Sequence, residues 1–196
     1  VCLCIASMGF AGVPDHATST AVTAAPGLVS VFTNVDGQGN PINAAKAAGA
    51  SAAVDATITL TVLDTFGNPI FQYPFEDMWL ESADAGMVAC AGGASANFST
   101  DALGYTEWAN PLQAGGASFG STFVVINGNQ VPQALAVGFN SADLDGSGAV
   151  NLSDVQSFAS DYYSGGYVFR SALLFDGVVN LSDIPIMASG YGAACP

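Results

Sequence analysis

Positive charge is nearly absent from this sequence. Its 196 residues contain 2 Lys plus Arg against 16 Asp plus Glu, which gives a formal net charge of −14. Nucleic-acid phosphates and anionic membrane surfaces are bound through Lys and Arg, so composition excludes both kinds of partner. The acidic excess is therefore either solvated or engaged in holding cations.

Histidine is almost as scarce, and this bears on catalysis. The single histidine, His16, lies in a polar segment with no nucleophile nearby, which argues against a Ser-His-Asp triad. No spacing among the 16 acidic residues singles out a glycosidase-type carboxylate pair. We therefore expect a protein that is not an enzyme. Hydrophobic residues make up 51% of the chain, which excludes general disorder and suits one large domain or two small ones.

Long apolar runs are missing as well. The run Val1–Ala11 has eleven residues, whereas a membrane-spanning helix needs about 20, so we predict no transmembrane segment. Two interpretations of residues 1–16 stay open. The apolar run is either the end of a secretory signal segment or an N-terminal arm that packs against its own domain or a neighbouring subunit, for example by strand addition.

Only four cysteines are present. Cys2 and Cys4 are two positions apart, which is poor geometry for a bond between them. A disulfide between the remaining Cys90 and Cys195 would close a loop on the order of 100 residues and stabilise the fold by about 4–5 kcal/mol through chain entropy. Two unpaired buried thiols are the alternative. Because disulfides persist in oxidising compartments, this cysteine usage favours a secreted, extracellular or cell-surface protein.

Residues 17–138 have the pattern of a β domain. In Asp55–Asp64, every second residue is Ala, Ile, Leu or Val, which is the period of a strand with one buried face. Asn127-Gly128 between two apolar runs is typical of a tight hairpin. The Ala- and Gly-rich stretch Ala44–Ala53 predicts a loop, with a short helix as the alternative. Regular short strands separated by turns favour a β-sandwich. The other predicted strands are Ala21–Ala24, Leu28–Thr33, Ile70–Tyr73, Met78–Glu81, Tyr105–Ala109, Ser121–Ile126 and Gln130–Val137.

Two segments of this region carry a family resemblance. VLDTFGNPI (Val62–Ile70) followed by STDALGYTEW (Ser99–Trp108) resembles bacterial immunoglobulin-like domains of the invasin and intimin type. In that family, a strand ending in D-x-x-G-N-P precedes a strand pair with T-D-x-x-G. The resemblance implies an immunoglobulin-like β-sandwich in a bacterial protein.

Residues 139–196 contain a repeat. Val150–Asp154 (VNLSD) recurs as Val179–Asp183, 29 residues later. After each copy, apolar residues follow at spacings of 0, 3, 6, 7 and 10, which define one face of a helix. Neither helix could bury its face alone, so we expect the two to pack on each other. The faces comprise Leu152, Val155, Phe158, Ala159 and Tyr162 in the first helix and Leu181, Ile184, Met187, Ala188 and Tyr191 in the second.

The loop before the first helix has the ligand spacing of an EF-hand. With Asp143 as position 1, oxygen-bearing side chains stand at positions 1, 3, 5, 9 and 12, and Gly148 stands at position 6, where a sharp turn is needed. Ca²⁺ takes about six to eight oxygen ligands, so this pattern predicts a calcium site. An acidic turn combined with a helix N-cap is the alternative. The predicted ligands are the side chains of Asp143, Asp145, Ser147, Asn151 and Asp154 and the backbone carbonyl of Ala149.

The loop before the second helix departs from this pattern. Ala172 and Leu174 occupy positions 1 and 3, so two ligand side chains are missing. We therefore expect this loop to preserve the fold while binding Ca²⁺ weakly or not at all. Backbone carbonyls and water are the alternative source of ligands. The remaining candidates are Asp176, the carbonyl of Val178, Asn180 and Asp183.

The paired loops, each with Asp at position 12 and a helix on one side only, resemble dockerin type I modules. The resemblance implies a small α-helical domain of two antiparallel helices held by Ca²⁺. It also implies docking onto a cohesin, which is itself a β-sandwich. Asn97-Phe98-Ser99 is a glycosylation sequon outside the two loops, and it makes Asn97 a candidate glycosylation site.

These observations predict a mainly β chain with three parts: an arm or signal remnant at 1–16, an immunoglobulin-like β-sandwich at 17–138 and a dockerin-like calcium-binding domain at 139–196. The first hypothesis is a secreted structural protein, the subunit of an extracellular homo-polymer assembled head to tail through the dockerin-like domain and the arm. The second is a surface-anchored module that docks onto a cohesin and recognises a glycan or a protein. Exposure of Trp79 or Trp108 would favour glycan binding.

Overall fold

The computed structural model describes residues 12–50 and 52–196. The apolar run Val1–Ala11, with Cys2 and Cys4, lies outside the described residues. The described chain is mainly β, as predicted, and contains two α-helices near its C-terminus. The strands are β1 (Thr20–Thr23), β2 (Val29–Thr33), β3 (Ala45–Ala47), β4 (Ala53–Val54), β5 (Ile58–Thr61), β6 (Met78–Ser82), β7 (Met87–Ala89), β8 (Tyr105–Trp108), β9 (Ala114–Gly116), β10 (Thr122–Ile126), β11 (Asn129–Gln130) and β12 (Val137–Ser141). The helices are α1 (Leu152–Ser164) and α2 (Asp183–Gly190).

The strands form four small sheets around one hydrophobic core. The sheet orders are β1-β5-β8, β11-β10-β6, β12-β2-β3-β4 and β7-β9. All neighbours are antiparallel except β12 and β2, which run parallel. Side chains from every sheet meet in the core, among them the fully buried Trp108, Phe139, Ile58 and Leu80. We refer to residues 20–141 as the β region and to residues 142–196 as the loop–helix region.

The hairpin predicted at Asn127-Gly128 is confirmed. Val125 pairs with Gln130 and Ile126 with Asn129, which leaves a two-residue loop between β10 and β11. Asn127 and Gly128 have φ angles of 47° and 81°. Positive φ at both central residues gives the turn whose twist matches that of the flanking strands, and Asn followed by Gly tolerates it best.

Two local predictions are wrong. The stretch Ala44–Ala53, predicted as a loop, contributes β3 and β4 to the sheet of β2. Ala45 is fully buried in the common core, so packing determines its conformation despite the weak strand propensity of alanine. Conversely, Ile70–Tyr73 is not a strand; a single bridge joins Leu63 to Pro69 just before it.

The parallel strands β2 and β12 are buried on both faces. Val31 and Phe139 point into the core of the β region, whereas Phe32 belongs to a second apolar cluster with Leu173 and Met187 of the loop–helix region. The loop–helix region therefore covers the outer face of this strand pair. The boundary predicted between residues 138 and 139 lies inside β12, and the chain passes from this strand directly into the first predicted calcium loop.

Both predicted helices are present, and their N-termini repeat one arrangement. Asn151 caps α1 by accepting a hydrogen bond from the Ser153 N–H at 2.8 Å, and α1 ends at Gly165 with a φ of 71°. The corresponding Asn180 accepts from the Ser182 N–H at 2.7 Å, just before α2. None of the described helices has the length and apolar character needed to cross a bilayer.

Candidate metal centre

The first loop is held on the β region by backbone hydrogen bonds. The Gly116 N–H of β9 donates to the carbonyl of Asp143 at 2.6 Å. On the other side, the C-terminal segment runs along the loop, where Cys195 N–H donates to the Gly148 carbonyl at 2.8 Å and Val150 N–H donates to the Ala193 carbonyl at 2.8 Å. Because β9 on one side and the C-terminal segment on the other fix the backbone, the loop side chains are positioned by the fold and not by a bound ion alone.

Three predicted ligands converge in this loop. Asp143, Asp145 and Asp154 each present a carboxylate oxygen, and these oxygens lie within 4.8 Å of one another. Among the described residues, this is the one group of three or more His, Cys, Asp or Glu side chains that meets in such a way. Asp143 and Asp154 are fully buried, whereas Asp145 is exposed. Two buried carboxylates beside a third create a negative centre that a divalent cation would neutralise.

Asp143 is oriented by the turn that follows it. Its Oδ1 accepts from the Ser147 N–H at 3.0 Å and its Oδ2 accepts from the Gly148 N–H at 2.9 Å. Burial raises the pKa of the Asp143 carboxyl above its ordinary value, and the hydrogen bond from Gly148 acts in the opposite direction. The exposed Asp145 carboxylate accepts a hydrogen bond from Ser147, and this lowers its pKa. Gly148 has a φ of 85°, as its predicted place in the sharp turn requires.

Asp154 ties the end of the loop to its beginning. Its Oδ1 accepts from the Asp145 N–H at 3.2 Å and its Oδ2 accepts from the Asn151 N–H at 2.8 Å. The second bond completes a capping box at the start of α1. Asp154, at position 12 of the loop, therefore closes the loop through hydrogen bonds and also contributes a carboxylate to the cluster.

The other predicted ligands differ in how they face the cluster. The Ser147 hydroxyl lies 3.4 Å from Asp143 Oδ1 and donates to the Ala149 carbonyl at 3.2 Å, so Ser147 lies beside the carboxylates and contacts the Ala149 carbonyl. The Asn151 amide instead donates to the Ala149 carbonyl at 3.1 Å while its oxygen caps α1. Asn151 thus serves the turn and the helix in this structure.

The second loop repeats the closure without the carboxylate cluster. Asp183 is fully buried and accepts from the Leu174 N–H at 3.1 Å and the Asn180 N–H at 2.9 Å, the counterparts of the two bonds to Asp154. Burial raises the pKa of Asp183. The position 1 residue, Ala172, is buried, and its carbonyl accepts a hydrogen bond from Asn140 of β12 at 2.9 Å.

Two other predicted ligands of the second loop, Asp176 and Asn180, form hydrogen bonds within the loop. The Asp176 carboxylate accepts from the Val178 N–H at 3.2 Å and from the Asn180 amide at 3.4 Å. Hydrogen bonds within the protein therefore hold the second loop.

Gly115 is a site residue that sequence reasoning missed. A Cβ built on this glycine of β9 would lie 2.7 Å from Asp143 Cγ and would overlap its Oδ2. Gly146 of the loop is similarly close to β7, since a Cβ there would lie 2.9 Å from Val88 Cγ2. Only glycine allows the buried carboxylate to sit against β9 at this distance. The Gly115-Gly116 pair was visible in the sequence, but no periodicity links it to a loop 28 residues away.

The predicted disulfide is confirmed and lies beside the loop. Cys90 and Cys195 are bonded, with their Cα atoms 5.6 Å apart and a sequence separation of 105 residues. The bond joins the C-terminal segment, which pairs with the metal loop, to the residue that follows β7. Asn97 of the predicted sequon is half-buried, and its backbone N–H donates to the Glu107 carbonyl at 2.9 Å.

Comparisons with protein-family models, with curated proteins and with solved structures find no match to this chain.

Proposed function

We propose that the chain is a secreted, non-enzymatic structural protein that binds Ca²⁺ through its first loop and assembles head to tail into an extracellular filament. The convergence of Asp143, Asp145 and Asp154 within 4.8 Å carries the metal part of the proposal. Oxygen donors alone suit a hard cation, and the exposed side of the cluster leaves room for the waters that complete a calcium shell.

The resemblance to dockerins supports the same ion and adds a docking role. The disulfide between Cys90 and Cys195 is compatible with an oxidising compartment, and thus with secretion. The strongly acidic, lysine-poor composition suits an extracellular role in which calcium is abundant. Residues 1–11 of the proposed N-terminal arm lie outside the described residues, whereas residues 12–16 are described.

Calorimetric titration with CaCl₂ tests the metal site. Asp145→Asn removes one charge from an exposed ligand that makes no long-range contact, so the fold should survive while calcium affinity falls by tenfold or more. Asp176→Asn, the exposed acid of the second loop, is the matched control and should leave the affinity unchanged. Wild-type protein that takes up no calcium would refute the metal assignment. If Asp176→Asn loses calcium affinity and Asp145→Asn does not, the calcium site is the second loop and not the first.

Sedimentation velocity and electron microscopy of the calcium-loaded full chain test assembly. We expect concentration-dependent polymers and filaments. A wild-type protein that stays monomeric at high concentration with calcium would refute the filament proposal while leaving the metal site standing.

A glycan-binding module is the second candidate, and one observation favours it. Trp79 is only half-buried and borders a cavity of about 250 Å³ lined also by Glu76, Gly92 and Ser95. Trp108, the other aromatic considered, is fully buried and donates its indole N–H to the Ala94 carbonyl, so it cannot contact a glycan. Quenching of tryptophan fluorescence by an oligosaccharide, abolished in Trp79→Ala, would support this function; an unchanged spectrum across a glycan panel would reject it.

A further inference from the structure

The metal loop and the disulfide share one stretch of chain, residues 191–196, which is the C-terminal segment. Backbone hydrogen bonds join this segment to the loop at three places. The Gly192 N–H donates to the Val150 carbonyl at 2.9 Å, the Val150 N–H to the Ala193 carbonyl at 2.8 Å and the Cys195 N–H to the Gly148 carbonyl at 2.8 Å. One residue of the disulfide is therefore also a direct partner of the metal loop.

The pairing fixes the direction of a predicted calcium ligand. In a trans peptide unit the carbonyl and the N–H point in opposite directions. The unit between Ala149 and Val150 is trans and directs its N–H at the Ala193 carbonyl. The Ala149 carbonyl therefore points away from the C-terminal segment, to the side where the Ser147 hydroxyl donates to it at 3.2 Å. The segment thus orients the predicted ligand at position 7 from behind.

Gly148 connects the same segment to a buried carboxylate. Its N–H donates to Asp143 Oδ2 at 2.9 Å, and its carbonyl accepts from the Cys195 N–H. A Cβ on Gly148 would lie 3.4 Å from Cys195 Sγ, so the disulfide sulfur packs against the turn itself. Displacement of Cys195 would therefore also displace the N–H group that orients Asp143.

The disulfide is the main anchor of the C-terminal segment on the β region. Ala193 and Cys195 are half-buried against the apolar cluster that contains Val150, whereas the side chains of Ala194 and Pro196 are exposed. So little apolar burial holds a short segment weakly. The covalent bond to Cys90, which directly follows β7, supplies the fixed attachment.

A reductant can reach this bond from solvent. Cys195 is half-buried, and Cys90 lines the open cavity of about 250 Å³ beside Trp79. In thiol–disulfide exchange, a thiolate attacks one sulfur and the other sulfur leaves as a thiolate. A dithiol completes the step by closing its own disulfide. Two electrons and two protons then pass to Cys90 and Cys195, which become thiols, and the dithiol is oxidised.

We propose that the Cys90–Cys195 disulfide controls the calcium affinity of the metal loop. Reduction releases the C-terminal segment, so the Ala149 carbonyl and the Asp143 carboxylate lose their fixed orientation and calcium binds more weakly. The inference rests on the proposed calcium function and names how that site is regulated. A disulfide that acted only by constraining the unfolded chain would leave the native site unchanged. Calcium affinity therefore separates the two effects.

The coupling is reciprocal, because both equilibria depend on the same segment. Coupling between two sites typically changes affinity by about 5–150-fold, and we expect roughly tenfold weaker calcium binding after reduction. By linkage, bound calcium should oppose reduction of the disulfide by the same factor. For a two-electron couple, a tenfold change corresponds to about 30 mV in the reduction potential. Oxidation and calcium thus favour the same closed arrangement of the loop.

Calorimetric titration of the full chain with CaCl₂, before and after treatment with dithiothreitol, tests the coupling. Cys90→Ser combined with Cys195→Ser should show the roughly tenfold loss of affinity without reductant. Cys2→Ser combined with Cys4→Ser is the matched control, because the reductant also meets those two cysteines. The control should titrate like the wild type both before and after reduction. Equal calcium affinity of the oxidised and the reduced wild type would overturn the proposal.

Amide hydrogen exchange in EDTA tests the segment without the ion. The Val150 and Cys195 amides should exchange roughly tenfold faster after reduction, since their acceptors lie across the released pairing. The Val131 amide, which donates to the Val124 carbonyl of β10 at 2.8 Å, should keep its protection and show that the reduced chain is folded. If Val131 stays protected and the other two amides exchange no faster, the disulfide does not hold the segment and the proposal is wrong.

A variant with the disulfide intact covers the case in which the reduced chain does not fold. Gly192 has a φ of 87°, which a β-branched residue strongly disfavours, and a Cβ there meets no atom within 4 Å. Gly192→Val should therefore loosen the pairing with Val150 and lower calcium affinity by roughly fivefold or more. Gly67→Val in the β region, at a φ of 81° and with equally open space, is the matched control. Equal calcium affinities of the two variants would contradict the proposal.

The outcomes separate this inference from the proposed function. If the oxidised wild type takes up no calcium, the metal assignment fails and this inference fails with it. If the oxidised and reduced proteins bind calcium equally tightly, the metal site stands and the coupling to the disulfide is wrong.

Discussion

Gly115→Ala perturbs the metal loop from outside, without touching a predicted ligand. The added methyl would overlap the Asp143 carboxylate, so either β9 or the buried side chain must move. Overpacking of this kind costs about 1–3 kcal/mol in the free energy of unfolding. Displacement of Asp143 should also remove calcium binding. At a hundredfold excess of calcium over Kd, binding stabilises the wild type by about 2.7 kcal/mol, and this gain would be lost.

The two contributions can be separated by thermal unfolding with and without calcium. For a chain of this size, 1 kcal/mol corresponds to about 2–4 °C in Tm, so calcium should raise the wild-type Tm by about 5–11 °C relative to EDTA. Gly115→Ala should be less stable than wild type in EDTA and should gain nothing from calcium. Gly27→Ala is the matched control, because a Cβ there meets no atom within 4 Å, and it should keep the full gain.

One outcome would refute the placement of the ion at Asp143. If Gly115→Ala shows the same calcium-dependent rise in Tm as the wild type, the ion is not held by Asp143. If Gly115→Ala is destabilised by the same amount in calcium and in EDTA, the substitution has affected only the packing of β9.

Three further predictions follow from charges and crosslinks. Burial raises the pKa of Asp143 above its ordinary value of 3.8, so in the calcium-free protein its contribution to stability is present below pH 3.8 and is lost as the pH rises through the raised value. The calcium-dependent gain in Tm, measured by calorimetry, should therefore increase as the pH rises above 3.8. The Arg170 hydrogen bond lowers the pKa of Asp161, so this pair stabilises the fold above pH 3.8 and less as acid titrates the carboxylate. Because the Arg170 side chain is 45% exposed, Arg170→Ala should lower the free energy of unfolding in urea by only about 1 kcal/mol at neutral pH, and by less at about pH 3. An equal loss at both pH values would contradict a stabilising ion pair between Arg170 and Asp161. Replacing Cys90 and Cys195 by Ser should cost about 4–5 kcal/mol in the same assay, since the bond constrains the unfolded chain, and an unchanged midpoint would contradict it.

Local sequence signals predicted the elements whose conformation is decided locally. The Asn127-Gly128 turn needs only a few neighbouring residues and forms as expected. A helix follows each copy of the repeat, although α2 begins at Asp183, two positions later in the repeat than α1 begins in the first copy. The spacing of acids around Asp143 likewise predicted which carboxylates meet. In each case the residues that determine the conformation lie within about a dozen positions of one another, so a local sequence pattern is enough to predict it.

Elements decided by distant packing were not predicted. Alanine has no strand preference, yet Ala45 joins a sheet because the core of the β region closes over it. Phe32 of β2 is buried by the loop–helix region, which follows it far along the chain. Gly115 is the clearest case, since its importance comes from a carboxylate that reaches it only in the folded chain. Each depends on contacts between segments far apart in sequence, which periodicity does not encode.

The metal loop stands where the β region and the loop–helix region join. β12 enters it, α1 leaves it, and the segment that pairs with it ends in Cys195, which is bonded to Cys90 of the β region. In the proposed head-to-tail filament, tension that passes between the β region and the loop–helix region must cross this joint. The disulfide fastens the joint covalently, and a Ca²⁺ ion bound by the first loop, as proposed, would link the start of the loop to the start of α1. This gives a physical reason for the proposed calcium loop and a long-range disulfide at the same place.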